Sequence, residues 1–255
     1  MQVVIDEKER VHLDETEKMA SGQDGDLYFY NGEVIKICNS GYMTYEKLDD
    51  LNAIASSYED KPETLSNSHI VLPEKKVEDA EKKVQRLRIT PLFGYTQKYL
   101  TEKKFGISTL ASDTFIEQAE NLREGIHEVF SKNSVGITDD NPHNFLVTTD
   151  DQMFFIDHDR CITKSVAEAN RHAVFDDNFY EHNNRKFDRL INKALLLEAF
   201  RGIELNDENL RKVLSLLHDL NLQSEQVLSL YSILREYENV SQYAEDRAKE
   251  LGLKM

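Results

Sequence analysis

The stretch GITDDNPHNFLVTTDDQMFFIDHDR, residues 136–160, constrains the fold more than any other part of this chain. It reads as a loop carrying Asp139 and Asn144, an apolar strand from Phe145 to Val147, an acidic turn at Asp150-Asp151, and a second apolar strand from Met153 to Ile156 that ends at Asp157. Two strands joined by a tight turn hold their flanking loops side by side. The spacing therefore predicts that Asp139, Asn144 and Asp157 converge at one end of a hairpin. A carboxylate that can take a proton, an amide oxygen and a second carboxylate are what metal-assisted phosphoryl transfer requires. Oxygen ligands of this kind suit Mg²⁺, which binds through one or two carboxylates while phosphates supply much of the rest. An ordinary hairpin with Asx-turn residues at its ends would show the same local pattern, so the rest of the chain has to decide.

A second test comes from residues 21–38, SGQDGDLYFYNGEVIKIC. Gly22 and Gly25 precede an apolar strand, Leu27 to Tyr30. Asn31-Gly32 is a type I′ hairpin signal, and the return strand, Val34 to Ile37, carries Lys36 in its middle. A lysine inside Val-Ile-Lys-Ile is out of place on composition. Downstream, Tyr45, Leu48, Leu51 and Ile54 recur at helical spacing, which predicts a helix over 42–57 packed on the sheet.

These segments, in this order, resemble the protein-kinase-like superfamily, in motif style its aminoglycoside and choline kinase branch. Pro142, two residues before Asn144, and the Phe-Ile-Asp-His-Asp ending carry the branch resemblance. It implies an α+β, two-lobed fold, with a small antiparallel sheet lobe plus one helix and a larger, mainly helical lobe. It implies ATP and Mg²⁺ as cofactors, Asp139 as catalytic base, Asn144 as a magnesium ligand and Asp157 as the principal one. Lys36 would hold the nucleotide phosphates, Glu46 of the 42–57 helix would hold Lys36, and the Gly22–Gly25 turn would cradle a phosphate through its amides. Asp24 and Asp26 put negative charge in that turn. Two positions depart from the pattern: Ile137 stands where the family has His, and His158 replaces the Phe of its D-F-G.

The remaining chain is read around that frame. The charged run 74–88 is expected to form an exposed hairpin or short helix, and 84–91 a half-buried strand. Thr90 to Gly94 would then cross between lobes, giving a sheet lobe over 1–91 and a helical lobe over 92–255. Phe115, Leu122, Ile126, Val129 and Phe130 share one face of a helix over 111–132. Beyond Asp157 the periodicity is helical throughout, with one stripe at Phe187, Leu190, Ile191, Ala194, Leu195 and Phe200. Asp159 is a candidate second support for the metal or a salt-bridge partner.

Net charge is −16 over 255 residues, which argues against a nucleic-acid partner because counterion release needs a basic surface. No apolar run spans a membrane and no leader pattern opens the chain. A cytoplasmic protein is expected, with a secreted effector open. Cys38 and Cys161 lack metal-ligand or disulfide spacing and read as packed thiols. The expected activity is transfer of the ATP γ-phosphoryl group to a hydroxyl of a protein or small molecule. The alternatives are a pseudokinase acting as a nucleotide-binding scaffold, a kinase-fold enzyme transferring AMP, and a helical interaction protein that binds no nucleotide.

Overall fold

The computed structural model describes residues 1–14, 18–84, 88–101, 121–139, 141, 144–149, 152–170, 175 and 177–200. Pro142, the Asp150-Asp151 turn, Phe115 and the chain after residue 200, expected to be helical, lie outside the described residues.

The described architecture is mixed, with one antiparallel sheet of seven strands and several helices. The strands are β1 (Gln2–Ile5), β2 (Glu9–His12), β3 (Lys18–Ser21), β4 (Gly25–Tyr30), β5 (Glu33–Cys38), β6 (Pro73–Asp79) and β7 (Gly94–Lys98). Their order across the sheet is β2-β1-β6-β7-β5-β4-β3. The β4–β5 hairpin turns at Asn31 (φ 50°) and Gly32 (φ 83°), the two positive φ values that the type I′ signal demands. In register, Lys36 pairs with Leu27 on one side and Tyr95 on the other, so it sits on an interior strand of the sheet.

Two of these strands correct the sequence reading. The charged run expected to be an exposed hairpin or helix supplies β6, an interior strand between β1 and β7. Its Val77 is fully buried. Its lysines are matched by carboxylates, Lys75 to Glu33 at 2.5 Å and Lys76 to Glu7. Ion pairs of this kind offset the charge that the lysines bring to the strand. Of the strand expected at 84–91, residues 85–87 lie outside the described residues and the others form no strand, the next strand being Gly94–Lys98. Thr90 to Gly94 do not cross away from the sheet but lead into its strand β7, so the sheet runs past the expected boundary at residue 91.

The α1 helix (Tyr45–Ser57) starts at Thr44, whose hydroxyl accepts the Lys47 amide at 3.2 Å, a side-chain N-cap. It buries Tyr45, Leu48, Leu51 and Ile54. The short α2 helix (Pro62–Asn67) follows, with proline at its first position, where no amide partner is needed. Residues 121–132 form α3, with a π turn over His127–Ser131, and bury Leu122, Ile126, Val129 and Phe130 completely. Then come α4 (Lys164–Asn170) and α5 (Asp177–Phe200), whose Phe187, Leu190 and Ile191 are also fully buried.

The predicted hairpin is present as β9 (Phe145–Val147) and β10 (Met153–Phe155), paired Phe145 to Phe155 and Val147 to Met153. A second small ladder joins β8 (Gly136–Ile137) to β11 (Cys161–Ile162). Phe155 is the anchor of the region. Fully buried, it meets Phe130, Phe145, Phe187 and His158 edge to face, with centroids 5.0 to 5.9 Å apart. Each such pair contributes about 0.5–1.5 kcal/mol beyond the buried area. Asp157 lies two residues from that anchor, so its backbone is held by the core.

Glycine matters most where two strands approach. A Cβ on Gly94 would lie 2.5 Å from the Lys36 carbonyl oxygen, and one on Gly25 would lie 2.4 Å from that of Ile37. Gly94→Ala is expected to destabilise the protein by about 1–3 kcal/mol, the range for overpacking, measured by urea denaturation. A stability equal to wild type would show that β5 and β7 can separate freely.

Candidate active site

Lys36 leaves its interior strand with only 8% of its surface exposed. Its ammonium is forked between two carboxylates, Asp157 Oδ2 at 3.0 Å and Asp159 Oδ2 at 2.9 Å. Asp159 is the more deeply buried of the pair, at 1% exposed. Its other oxygen accepts from the Tyr95 hydroxyl at 3.0 Å, and its amide donates to Asp157 Oδ1 at 3.1 Å. Burial disfavours the charged ammonium, yet the two carboxylates outweigh it and hold Lys36 well above the ordinary lysine range. Burial likewise pushes both carboxyls up. For Asp157 the attraction of Lys36 and the Asp159 amide prevail and lower it, whereas Asp159, with Asp157 repelling it, stays raised.

The expected Lys36–Glu46 pair is not formed. Glu46 Oε2 accepts the Thr90 amide at 3.1 Å and so ties α1 to the segment leading into β7. The next residue, Lys47, turns inward instead and is 4% exposed. Its ammonium donates to the carbonyls of Tyr42 at 2.7 Å and Asp159 at 2.5 Å. Burial lowers the Lys47 ammonium below the ordinary lysine range, against the pull of nearby acidic groups. The carboxylate that holds Lys36 thus comes from the strand-end segment itself, with α1 bracing that segment from behind.

Asp139 and Asn144 meet as the hairpin spacing predicts, the Asn144 amide nitrogen lying 3.4 Å from Asp139 Oδ2. Asn144 is 3% exposed, and its carbonyl accepts the Ile156 amide at 2.8 Å, one residue before Asp157. The two departures from the family pattern both have a structural role. Ile137 is buried, and its amide donates to Asn183 Oδ1 at 2.9 Å, while Asn183 also donates to the Val135 carbonyl at 3.0 Å. A buried asparagine on α5 therefore clamps the approach to Asp139. His158 packs edge-on to Phe130 and Phe155. Burial lowers it to about 4, so the ring is uncharged at neutral pH.

The turn over residues 22–25 closes the other side. The Gly22 amide donates to the Gly25 carbonyl at 2.8 Å, so that N–H serves the turn and is not free to cradle a phosphate. Gly25 is required by its approach to β5. Of the two acidic residues noted in the sequence, Asp26 pairs with Lys18 at 3.3 Å. Asp24 receives both Nε and Nη2 of Arg160, each at 3.1 Å. The Arg160 guanidinium also stacks 4.5 Å from the centre of the Tyr42 ring.

Gly22, Asp24, Gly25, Lys36, Asp139, Asp157 and Arg160 line one cavity of about 380 Å³. Asn144 lies beneath Asp139 and does not line it. A larger cavity, about 600 Å³, opens between α1, α2 and the ends of β6 and β7 and holds none of the residues singled out in the sequence. Cys38 and Cys161 are free thiols, pushed up to about 12 by burial, and chemically quiet at neutral pH.

Among the described residues no group of three or more His, Cys, Asp or Glu side chains is disposed to hold a metal. The carboxylates lining the cavity are Asp24, Asp139 and Asp157, of which Asp24 is taken by Arg160, and Asn144 stands behind Asp139. That set does not fit a resident metal cage. It does fit Mg²⁺ arriving with a nucleotide, since that ion keeps phosphate oxygens and waters as most of its ligands.

Several of these features were out of reach of the sequence. Asn183 and Lys47 lie in helical segments whose facing only the fold sets, and Tyr95 sits on a strand that its polar neighbours conceal. Arg160 and Asp24 are separated by 136 residues.

No family model matches the chain, and no curated protein matches it. In three dimensions the chain is similar to the Legionella pneumophila Lpg2603 kinase bound to IP6, at 12% sequence identity and a TM-score of 0.39, over 97% of this chain and 85% of that one. A likeness at that score assigns neither a fold family nor an activity. Among the described residues no helix is long and apolar enough to cross a membrane.

Proposed function

We propose that the chain is an ATP- and Mg²⁺-dependent phosphotransferase of protein-kinase-like, two-lobed construction that moves the γ-phosphoryl group to a hydroxyl of a protein or small molecule. One observation carries the reading. Lys36 and Asp157, 121 residues apart, meet at 3.0 Å beside Asp139 in a single cavity. An ordinary hairpin with polar ends gives no reason for an interior-strand lysine to reach it.

Asp139 accepts the proton of the acceptor hydroxyl. Asp157 would hold Mg²⁺, with Asn144, next to Asp139, as the second candidate ligand. Lys36 holds the phosphates, with Asp159 in the positioning role that Glu46 was expected to fill. Mg²⁺ held there would supply positive charge to the transferring phosphoryl group. The chain's own groups orient the nucleotide, remove the proton and exclude water.

Mg–ATP should raise the melting temperature. Ligand at a hundredfold over its Kd adds about 2.7 kcal/mol to the folded state. Asp157→Ala should make that shift independent of Mg²⁺. No shift with wild type at millimolar Mg–ATP would remove the reading. Incubation with γ-labelled ATP and a panel of proteins and metabolites then identifies the acceptor class.

The engagement of Lys36 by both Asp157 and Asp159 favours one second reading, a nucleotide-binding scaffold in which this fork persists. That reading predicts a thermal shift without labelled product.

A further inference from the structure

Each described cation lining the cavity already has a carboxylate partner. Lys36 is forked between Asp157 and Asp159, and Arg160 is held by Asp24 through two parallel hydrogen bonds. The charged side chains lining the cavity are Asp24, Lys36, Asp139, Asp157 and Arg160, so carboxylates outnumber cations there by three to two. A polyphosphate entering it meets net negative charge and no uncommitted cation. The Arg160–Asp24 pair spans the cavity itself, joining the 22–25 turn to the segment just beyond Asp157.

The backbone of Arg160 is fixed. Thr138 donates its hydroxyl to the Arg160 carbonyl, Cys161 pairs with Ile137 in the small ladder, and the guanidinium rests on Tyr42. The guanidinium is therefore held at the cavity whether or not Asp24 is bound to it. Asp24 belongs to a tight turn and offers a bidentate, singly charged oxygen pair. Arginine recognises carboxylate and phosphate by the same fork geometry, and it binds the more highly charged phosphate at least as well.

We infer that Arg160 is a phosphate-binding residue and that Asp24 is its built-in competitor, so that the two form a latch which a nucleotide polyphosphate opens by taking the guanidinium from Asp24. This rests on the phosphotransferase reading and adds to it a residue and a control element. In the closed state the 22–25 turn is tied down over the cavity. In the open state the turn is released and Arg160 joins Lys36 on the phosphates, and Mg²⁺ arriving with the nucleotide would offset the charge of the carboxylates. Arg160 acts as a fixed anion contact and passes no proton, because its guanidinium stays charged throughout.

A latch that is closed about nine-tenths of the time weakens the apparent affinity about tenfold. Breaking it from the Asp24 side should therefore strengthen binding, the reverse of what the loss of a ligand contact does. The test is titration calorimetry of the full chain with Mg–ATP and with adenosine, on wild type, Asp24→Asn and Arg160→Gln. Asp24→Asn is expected to tighten Mg–ATP binding by up to about tenfold. Arg160→Gln is expected to weaken it by at least as much, with adenosine affinity unmoved in both variants. Both substitutions are at partly exposed positions, and each variant reports independently, so loss of one to misfolding leaves the other decisive. Unchanged or weaker Mg–ATP binding in Asp24→Asn overturns the latch while leaving the phosphotransferase reading intact. Absence of Mg–ATP binding by wild type overturns both, which separates the two failures. Equal weakening of adenosine and Mg–ATP in Arg160→Gln assigns Arg160 a merely structural role.

Discussion

Asp139→Asn is expected to lower phosphoryl transfer by about 10²–10⁴-fold, the contribution of a positioned general base, with Mg–ATP affinity held near wild type. The expectation follows from where Asp139 sits. It lines the cavity beside Asn144, on a loop clamped by Asn183 and by the Lys186 ammonium, which donates to the Thr138 carbonyl at 3.1 Å. It forms no ion pair with Lys36, whose two carboxylates are Asp157 and Asp159. Removing its charge therefore leaves the phosphate contacts in place and takes away only the acceptor for the hydroxyl proton. A loss made only in the transition state lowers turnover and leaves binding alone. Single-turnover transfer and calorimetric affinity, measured on the same variant, check the split. Wild-type turnover would show that the proton leaves by another route.

The second large effect falls on stability. Lys36→Met should destabilise the protein by about 3–5 kcal/mol at neutral to alkaline pH, because it leaves buried carboxylates without their cation. A strand lysine turned to solvent would cost far less to remove, about 1 kcal/mol at most. The sign of the pH dependence comes from Asp159, which burial already holds above the usual carboxylate range even with Lys36 present. Without Lys36 it rises further. A carboxyl raised by folding carries no penalty while it is protonated in both states, and an increasing penalty as pH climbs from its unfolded value toward its folded one. The deficit of the variant should therefore be smallest near about pH 4, the ordinary aspartate value, and should grow toward pH 8. Urea denaturation at those two pH values measures it, and equal deficits would mean that Asp159 is not the group left stranded.

The parts of the molecule that could be read from the chain are those where a local rule decides the outcome. Asn31-Gly32 needs only its own φ preferences to make a hairpin, and Phe145–Val147 with Met153–Phe155 needs only two apolar runs and a turn. The Asp139, Asn144 and Asp157 grouping follows from that hairpin by geometry. What escaped depends on neighbours far along the chain. The β6 strand tolerates its lysines because they meet Glu33 of β5 and Glu7 of the β1–β2 turn. The β7 strand buries Thr96 and Gln97 because it lies in the sheet interior, with Gln97 donating to the Val71 and Ile156 carbonyls at 2.6 and 2.8 Å. Glu46 and Lys47 are adjacent on α1, and only the pitch of that helix against the sheet decides which one faces inward.

The core has a consequence for how the molecule behaves as a physical system. One continuous cluster runs from Met43, Leu48 and Leu51 through Tyr95 to Phe130, Phe155 and Phe187, so it draws on residues from both sides of the expected boundary at residue 91. The hairpin end is also fastened to the 69–71 segment, where Phe155 donates its amide to His69 and accepts that of Val71. Sheet and hairpin are therefore not two folding units joined by a tether. They form one body with a shared hydrophobic cluster, so melting either part exposes apolar surface of the other. A ligand that binds at the cavity thus raises the free energy of unfolding for the whole of that body, and a severed chain would lack either half of its own interior.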